Sequence, residues 1–445
     1  MTADTDAQFF KEEICDPLTG HILKTFRHRS GFLVKLLPRP RFSRRFAAIT
    51  VPFGSVHTAF QTLDGRVTVP SGSAHFLEHC IFSRDEDGGL LGSLSNLGAS
   101  ANAYTTHTHT LYYFSTTEPF EEALTRYMTA ILHPDISPAR IEAERPVILA
   151  ELAMYRDDPD SRTYSDLLEQ LYVNHPVRLD IGGTAESVMA ITEADLKAIT
   201  QAYYNPSVLS LTIVGDIDEG PILELLARLL PEKGQPAPKA ERVTEPAFPA
   251  VFSSERQMDV ATSSFLIGIK DPVPSAECPL SGRDLAIRQR AGMLVFDTLL
   301  SECSAIHEEL YDAGLICDNF GVHYTCESDF GFVAAGGESD CPAEAAQRLI
   351  DLLVEKWREG LDPYLFSVQK KAAAGDFLRA FDSIDHSGMV QARCNLYPVD
   401  LFDYPAIYDK IERTELLESF AFIGDPKNYS MTILKPIGGS VPNVN

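Results

Sequence analysis

The 445-residue chain carries 63 acidic against 38 basic residues, a formal net charge of −25, with 44% hydrophobic and 23% charged positions. That balance supports two or three domains with sizeable cores. It argues against nucleic acid and anionic membrane surfaces as partners; it suits a neutral or basic polypeptide, and solubility alone explains it just as well. No run of 18 apolar residues is present, and the opening Met-Thr-Ala-Asp-Thr-Asp-Ala lacks both the basic and the apolar parts of a signal peptide. Eight cysteines without a C-x-x-C pair predict free thiols, so the expected location is cytoplasmic.

In chain order, residues 8–50 read as a short lead-in followed by strands at 31–37 and 46–51, separated by the turn Pro38-Arg39-Pro40-Arg41. Residues 70–73 lead into a helix that Ser71 or Ser73 is expected to cap. A Gly- and Asp-rich turn at 85–89 ends it, a short helix covers 90–97, and 110–115 is a strand. Helical periodicity covers 119–132, then a long stretch from Ser137-Pro138 to about Tyr155, which Pro146 is expected to bend. A further helix covers roughly 160–172. Thr192 and Asp195 have capping-box spacing at the start of the next, and 209–214 is a strand. The prolines of 232–249 mark a linker.

Beyond the linker the same grammar recurs. Strands are expected at 263–269, 330–336 and 429–435, and helices at 284–300, 342–358 and 363–380. No Gly-x-Gly-x-x-Gly fingerprint accompanies the alternation, which favours α+β over a dinucleotide-binding fold. The expected organisation is an N-terminal domain over 1–231, a linker over 232–249 and a homologous C-terminal domain over 250–445, a duplication in which one copy keeps the chemistry.

The chemistry centres on His75-Phe76-Leu77-Glu78-His79. On a helix, positions i, i+3 and i+4 share a face, so His75, Glu78 and His79 project together, and burying them without partners is costly. H-x-x-E-H is the motif of inverted zinc peptidases. A catalytic zinc takes three protein ligands and leaves one position open. With His75 and His79 supplying two, the 138–155 helix offers Glu142, Glu144 and Glu151, and Glu144 is also suited to orienting a ligand imidazole. Glu78 is the expected general base. His107 and His109 alternate in an expected strand within a Thr-rich stretch and read as residues of that stretch, not ligands. Cys80, about 100° around the helix from His79, reads as a small core residue. His175 reads as a packing or turn residue.

These residues resemble the insulinase/pitrilysin family of zinc peptidases, whose H-x-x-E-H is followed by a distal E-x-x-x-x-x-x-E, here Glu144 and Glu151. The resemblance implies an α+β fold of two homologous mixed sheet-plus-helix halves, as in mitochondrial processing peptidases. It implies Zn2+ as the cofactor, Glu151 as third ligand, Glu144 as an accessory carboxylate and Asn102-Ala103 as a strand edge that hydrogen-bonds a peptide substrate. His175-Pro176, Gly182-Gly183, Tyr204-Asn205-Pro206 and Val214-Gly215-Asp216 follow the same pattern. A narrower resemblance is to the bacterial subgroup associated with 5-aminopentanol modification of elongation factor P. It is carried by Phe82, Glu86-Asp87-Gly88, residues 98–103 and Leu310 to Leu315.

One departure stands out. The family's second-half Arg and Tyr, which hold substrate over the zinc, fall here on Leu310 and Cys317. The implied activity is a zinc endopeptidase acting on peptides. The alternative is a weakly active or non-catalytic subunit of a heterodimeric complex. Its partner would be a homologous chain lacking the zinc motif, or a second copy in a self-dimer.

Overall fold

The computed structural model describes residues 8–83 and 89–438, so Glu86-Asp87-Gly88 of the subgroup pattern, and most of the turn expected at 85–89, lie outside the described residues. The first part of the chain opens with a hairpin absent from the sequence reading, β1 (Phe9–Cys15) and β2 (Ile22–His28). There follow β3 (Leu33–Pro38), β4 (Arg45–Val51), β5 (Ala59–Thr62), β6 (Gly65–Thr68) and the motif helix α1 (Ser73–Ile81). Next come α2 (Leu90–Ser95), β7 (Ser100–Thr105), β8 (Thr110–Thr116), α3 (Phe120–Leu132), α4 (Pro138–Asp157) and α5 (Pro159–Leu171). Helices α6 (Ala185–Ala190) and α7 (Glu193–Tyr203), strand β9 (Ser210–Gly215), α8 (Glu219–Leu229) and the two-residue β10 (Lys239–Ala240) complete it. The capping box at Thr192 and Asp195 forms as the spacing implies, and α4 runs through Pro146 as one helix.

The remainder holds β11 (Ser253–Met258), β12 (Ser264–Lys270), α9 (Gly282–Leu300), α10 (Ala305–Asp312), β13 (Gly321–Cys326) and β14 (Gly331–Glu338). Helices α11 (Pro342–Glu359), α12 (Pro363–Arg379), α13 (Ile384–Cys394), α14 (Tyr404–Lys410) and α15 (Arg413–Ser419) precede the closing strand β15 (Tyr429–Pro436).

Two compact units emerge. In the first, a seven-stranded sheet has the order β1-β2-β3-β9-β4-β8-β7, and β10 pairs with β5 beside β6. One face carries the core of Ala47, Ile49, Val51, Tyr112 and Phe114 under α1 and α3. The other face is covered by α13, where Thr50 Oγ1 donates to Ala392 O at 2.8 Å and Asn395 Nδ2 to Thr212 Oγ1 at 2.9 Å. In the second unit a five-stranded sheet has the order β11-β15-β12-β14-β13. Its cover includes α5, held by Gln170 Nε2 donating to Ser254 Oγ at 2.8 Å and to Thr432 Oγ1 at 2.5 Å.

The sheets repeat one topology: β3-β9-β4-β8-β7 corresponds strand for strand to β11-β15-β12-β14-β13, with one parallel pair in each run, β3·β9 and β11·β15. The units are not contiguous halves. Residues 153–179 belong with the second sheet and residues 377–403 with the first, so a single boundary at 232–249 does not describe them, and β10 lies inside that stretch. Periodicity marks a helix and its apolar face, but it cannot say which of two similar sheets that face covers.

Candidate metal centre

Helix α1 is positioned by its apolar side. Ala74, Phe76, Leu77, Cys80 and Ile81 all enter the core, and each large side chain contributes about 1.5–3 kcal/mol by leaving water. The helix starts without the expected serine cap. Gly72 is the N-cap residue at φ 86°, and Ser73 Oγ instead donates to Pro70 O at 2.7 Å. The reason is steric: a Cβ on Gly72 would lie 2.2 Å from Gly182 O, so only glycine lets the 180–183 loop close against the helix start. A Cβ on Gly182 would in turn lie 2.7 Å from Leu152 Cδ2 and 3.4 Å from His75 Nδ1.

The polar side of α1 faces α4. His75 Nε2 lies 3.2 Å from His79 Nε2 and 3.7 Å from Glu151 Oε1, and His79 Nε2 lies 3.1 Å from Glu151 Oε2. Donors about 2 Å from a tetrahedral ion stand about 3.3 Å from one another, so this spacing fits a zinc ion bound by two imidazoles and a carboxylate. Among the described residues this is the group of three or more His, Cys, Asp or Glu side chains whose ligand atoms converge within 4.8 Å. Glu142 is not part of it; its carboxylate pairs with Arg145 Nη2 at 3.1 Å. Glu144 is buried behind the group, 3.6 Å from His79 Nδ1, where a carboxylate fixes the orientation of an imidazole.

The electrostatics show why the cluster favours a cation. Burial lowers His75, with the neighbouring His79 adding to the effect, to about 4, and its Nδ1 is buried without a hydrogen-bond partner. Burial also works to lower His79, but its bonds to Glu144 and Glu151 override this and raise it to about 9. Burial raises Glu78 above the usual carboxylate range, against the opposing hydrogen bond from Thr105 Oγ1 at 2.5 Å.

No motif marks Thr105 in the sequence, although strand alternation puts it on the same face as Ala103. It ends β7, the outer strand of the first sheet. Asn102, three residues earlier and on the other face, is exposed, and its Oδ1 accepts from the N–H of Ala103 at 2.9 Å. That amide therefore turns to a side chain and not into the β7·β8 ladder.

Other expectations resolve elsewhere. His107 and His109 lie in the β7–β8 turn, not in a strand, because Thr106 N donates to His109 O and reverses the chain there. His109 is buried and hydrogen-bonded to Thr106, and His107 Nδ1 lies 3.1 Å from Ser55 Oγ. Cys80 is a core residue. His175 caps a short 3-10 turn through Val177 N. In the second unit Leu310 is fully buried, while Cys317 is exposed and its Sγ donates to Asn319 Oδ1 at 3.1 Å. No helix of the described residues is long and apolar enough to cross a membrane.

Comparison with known proteins agrees with this geometry. Residues 68–185 match the insulinase (peptidase family M16) model, and residues 190–372 match the peptidase M16 inactive domain. The chain is 33% identical over 389 residues to an uncharacterized zinc protease, YmfH, of Bacillus subtilis, covering 86% of this chain and 89% of that one. It is 25% identical over 304 residues to the mitochondrial-processing peptidase subunit beta of Caenorhabditis elegans, covering 64% and 63% of the two chains. A solved M16-like peptidase from Alicyclobacillus acidocaldarius superposes with a TM-score of 0.87 at 28% identity, over 95% of this chain and all of that one. Pitrilysin superposes with a TM-score of 0.75 at 16% identity, over 96% of this chain and 46% of its own, a likeness of fold. The α+β arrangement of two homologous sheet-plus-helix halves is thus the family's own, and this chain belongs to the insulinase family of peptidases, M16.

Proposed function

We propose that this chain is a zinc-dependent endopeptidase that cleaves peptides or small unfolded polypeptides. The observation that carries the proposal is the convergence of His75, His79 and Glu151 beside Glu78, itself hydrogen-bonded to the end of an outer strand. When bound, zinc supplies Lewis acidity that polarises the scissile carbonyl and acidifies the attacking water. Glu78 takes the proton from that water, and its burial makes it a stronger base than an exposed carboxylate. The hydroxyl of Thr105 holds the Glu78 carboxylate in one orientation. Strand β7 presents its outer backbone edge at Asn102-Ala103 to an extended peptide, which would add as a further strand once the Ala103 N–H exchanges Asn102 Oδ1 for a peptide carbonyl. Glu144 keeps the ring of His79 turned toward Glu151.

The test separates metal binding from chemistry. Glu78→Gln is expected to keep its zinc and lose peptide cleavage by about 10²–10⁴-fold, the usual scale for a positioned proton acceptor. Undiminished turnover in that variant excludes Glu78 as the base.

A second reading concerns assembly. Leu310 is packed in the core and the thiol of Cys317 is engaged with Asn319, so neither position offers the Arg and Tyr expected to hold substrate. A homologous partner chain lacking the zinc motif would supply both groups. The name of the similar nematode protein, subunit beta of a processing peptidase, supports this assembly. Native mass determination of the protein recovered at its own expression level distinguishes a heterodimer from a homodimer and a monomer. Fast zinc-dependent cleavage by the purified chain alone removes the need for a partner.

A further inference from the structure

The two faces of β7 carry different chemistry. Paired residues in an antiparallel ladder share a face. Thr105 pairs with Thr110, which pairs with Val51, and this row lies on the α1 side, where Thr105 meets Glu78. Tyr104 pairs with Leu111, which pairs with Thr50, and this row lies on the α13 side, where Thr50 bonds Ala392. The next residue of α13 is Arg393. Its Nε donates to Tyr104 Oη at 3.1 Å and its guanidinium lies 5.8 Å from the centre of the Tyr104 ring.

Arg393 is exposed, and among the described residues no carboxylate pairs with it, in a chain where acidic residues outnumber basic ones 63 to 38. A solvated surface arginine in such a chain finds an acidic neighbour easily. Arg393 is instead held over an aromatic ring at the edge of the outer strand, one residue from the contact with the general base. Its place in the last turn of α13 offers a purely structural explanation, favourable interaction with the helix C-terminus. That explanation accounts for the charge but not for the anchoring to Tyr104.

We infer that Arg393 and Tyr104 form a subsite for an acidic side chain of the peptide, the Glu or Asp that lies opposite Tyr104 when the peptide pairs with β7. This rests on the peptidase reading above. A strand added to β7 places the side chain opposite Tyr104 about 4.5–5.5 Å away on the same face, beneath the guanidinium. Neighbouring peptide residues point to the α1 side and the reacting groups. The pair thus selects a side chain close to the scissile bond and does not replace the groups missing at Leu310 and Cys317. The guanidinium, with one nitrogen occupied by Tyr104, retains its terminal nitrogens for the planar two-point contact that a carboxylate accepts.

The experiment uses the zinc-loaded full-length chain with whatever subunit accompanies it at native expression. The substrates are acetylated and amidated octapeptides in which Glu, Gln or Lys is walked through each position, so that only side-chain carboxylates are present. The expected result is one position at which Glu is preferred over Lys by about tenfold or more in kcat/KM. Arg393→Glu is expected to invert that preference at that position alone, and Arg393→Lys to retain part of it. Equal loss of cleavage for every peptide in Arg393→Glu, or no position that prefers an acid, overturns the subsite while leaving the peptidase intact. If no peptide is cleaved by the unmodified zinc-loaded protein, the peptidase reading falls first and the subsite with it.

Discussion

The two units build the same junction of helix and outer strand and finish it in opposite ways. In the first, α1 lies against β7 and presents His75, Glu78 and His79, with Thr105 at the end of the strand bonded to Glu78. In the second, α9 lies against β13, and Cys326 stands where Thr105 does, as the last residue of the hairpin's first strand. There the polar groups close on one another. Arg288 reaches Asp271 at 2.7 Å, Tyr324 Oη donates to the same carboxylate at 2.7 Å, and Gln289 Nε2 donates to Cys326 O at 2.8 Å. The Asp271 side chain is fully buried. One junction carries an excess of acceptors that favours a cation, while the other supplies its own cation in Arg288. The two junctions thus differ in the charges their side chains carry and not in topology, which they share.

The largest effect is expected where the first junction loses a ligand. His79→Ala or Glu151→Ala should take zinc content from about one ion per chain to about none after dialysis, measured by metal analysis. Stoichiometric zinc in Glu151→Ala breaks the ligand assignment. In the second junction the same kind of change should cost stability and no metal. Asp271→Ala leaves Arg288 buried without its partner, and a loss of about 3–5 kcal/mol is expected in denaturant unfolding of the second unit. Zinc content should be unchanged. A smaller loss, about 1–3 kcal/mol, is expected for Gly292→Ala, because the added Cβ would lie 2.0 Å from the Tyr324 ring that holds Asp271.

The smallest effect concerns pH. Burial, followed by Arg393 and His57, pushes His109 down to about 3 from an ordinary 6.5. The folded state keeps it neutral while the unfolded chain protonates it. Its contribution to stability is thus intact above about 6.5 and lost progressively as the pH falls toward 3. His109→Gln should therefore bind about one proton fewer on unfolding at pH 5, read as a shallower acid slope of stability.

Much of the first junction was legible because its chemistry is local. His75, Glu78 and His79 lie within one turn and a half of helix, and Glu144 and Glu151 are spaced by two turns. The long helices and central strands likewise follow from periodicity. What the sequence did not reveal depends on partners far along the chain. Gly72 at the helix start answers to Gly182, and Thr105 acquires meaning only from Glu78. Arg393 meets Tyr104 across 289 positions. The β1–β2 hairpin leaves no signal in the sequence because β1 is exposed along nearly its whole length and shows no apolar alternation. The destinations of α5 and α13 were hidden for a related reason: both amphipathic helices fit a sheet, and nothing in their own residues names which.

That exchange of helices bears on how the protein is made. All three residues of the proposed metal site have been added to the chain once residue 151 is synthesised, and the last strand of the first sheet, β9, soon follows. Yet the face of that sheet bearing Thr50 and Thr212 has no α13 to cover it until residue 394 emerges. At a synthesis rate of about 5–20 residues per second, some ten seconds or more separate the appearance of these residues from the completion of their unit. A nascent first half thus passes through a stage with the side chains of the proposed site present and a sheet face still open, and the completion of that unit is timed by the far end of the gene.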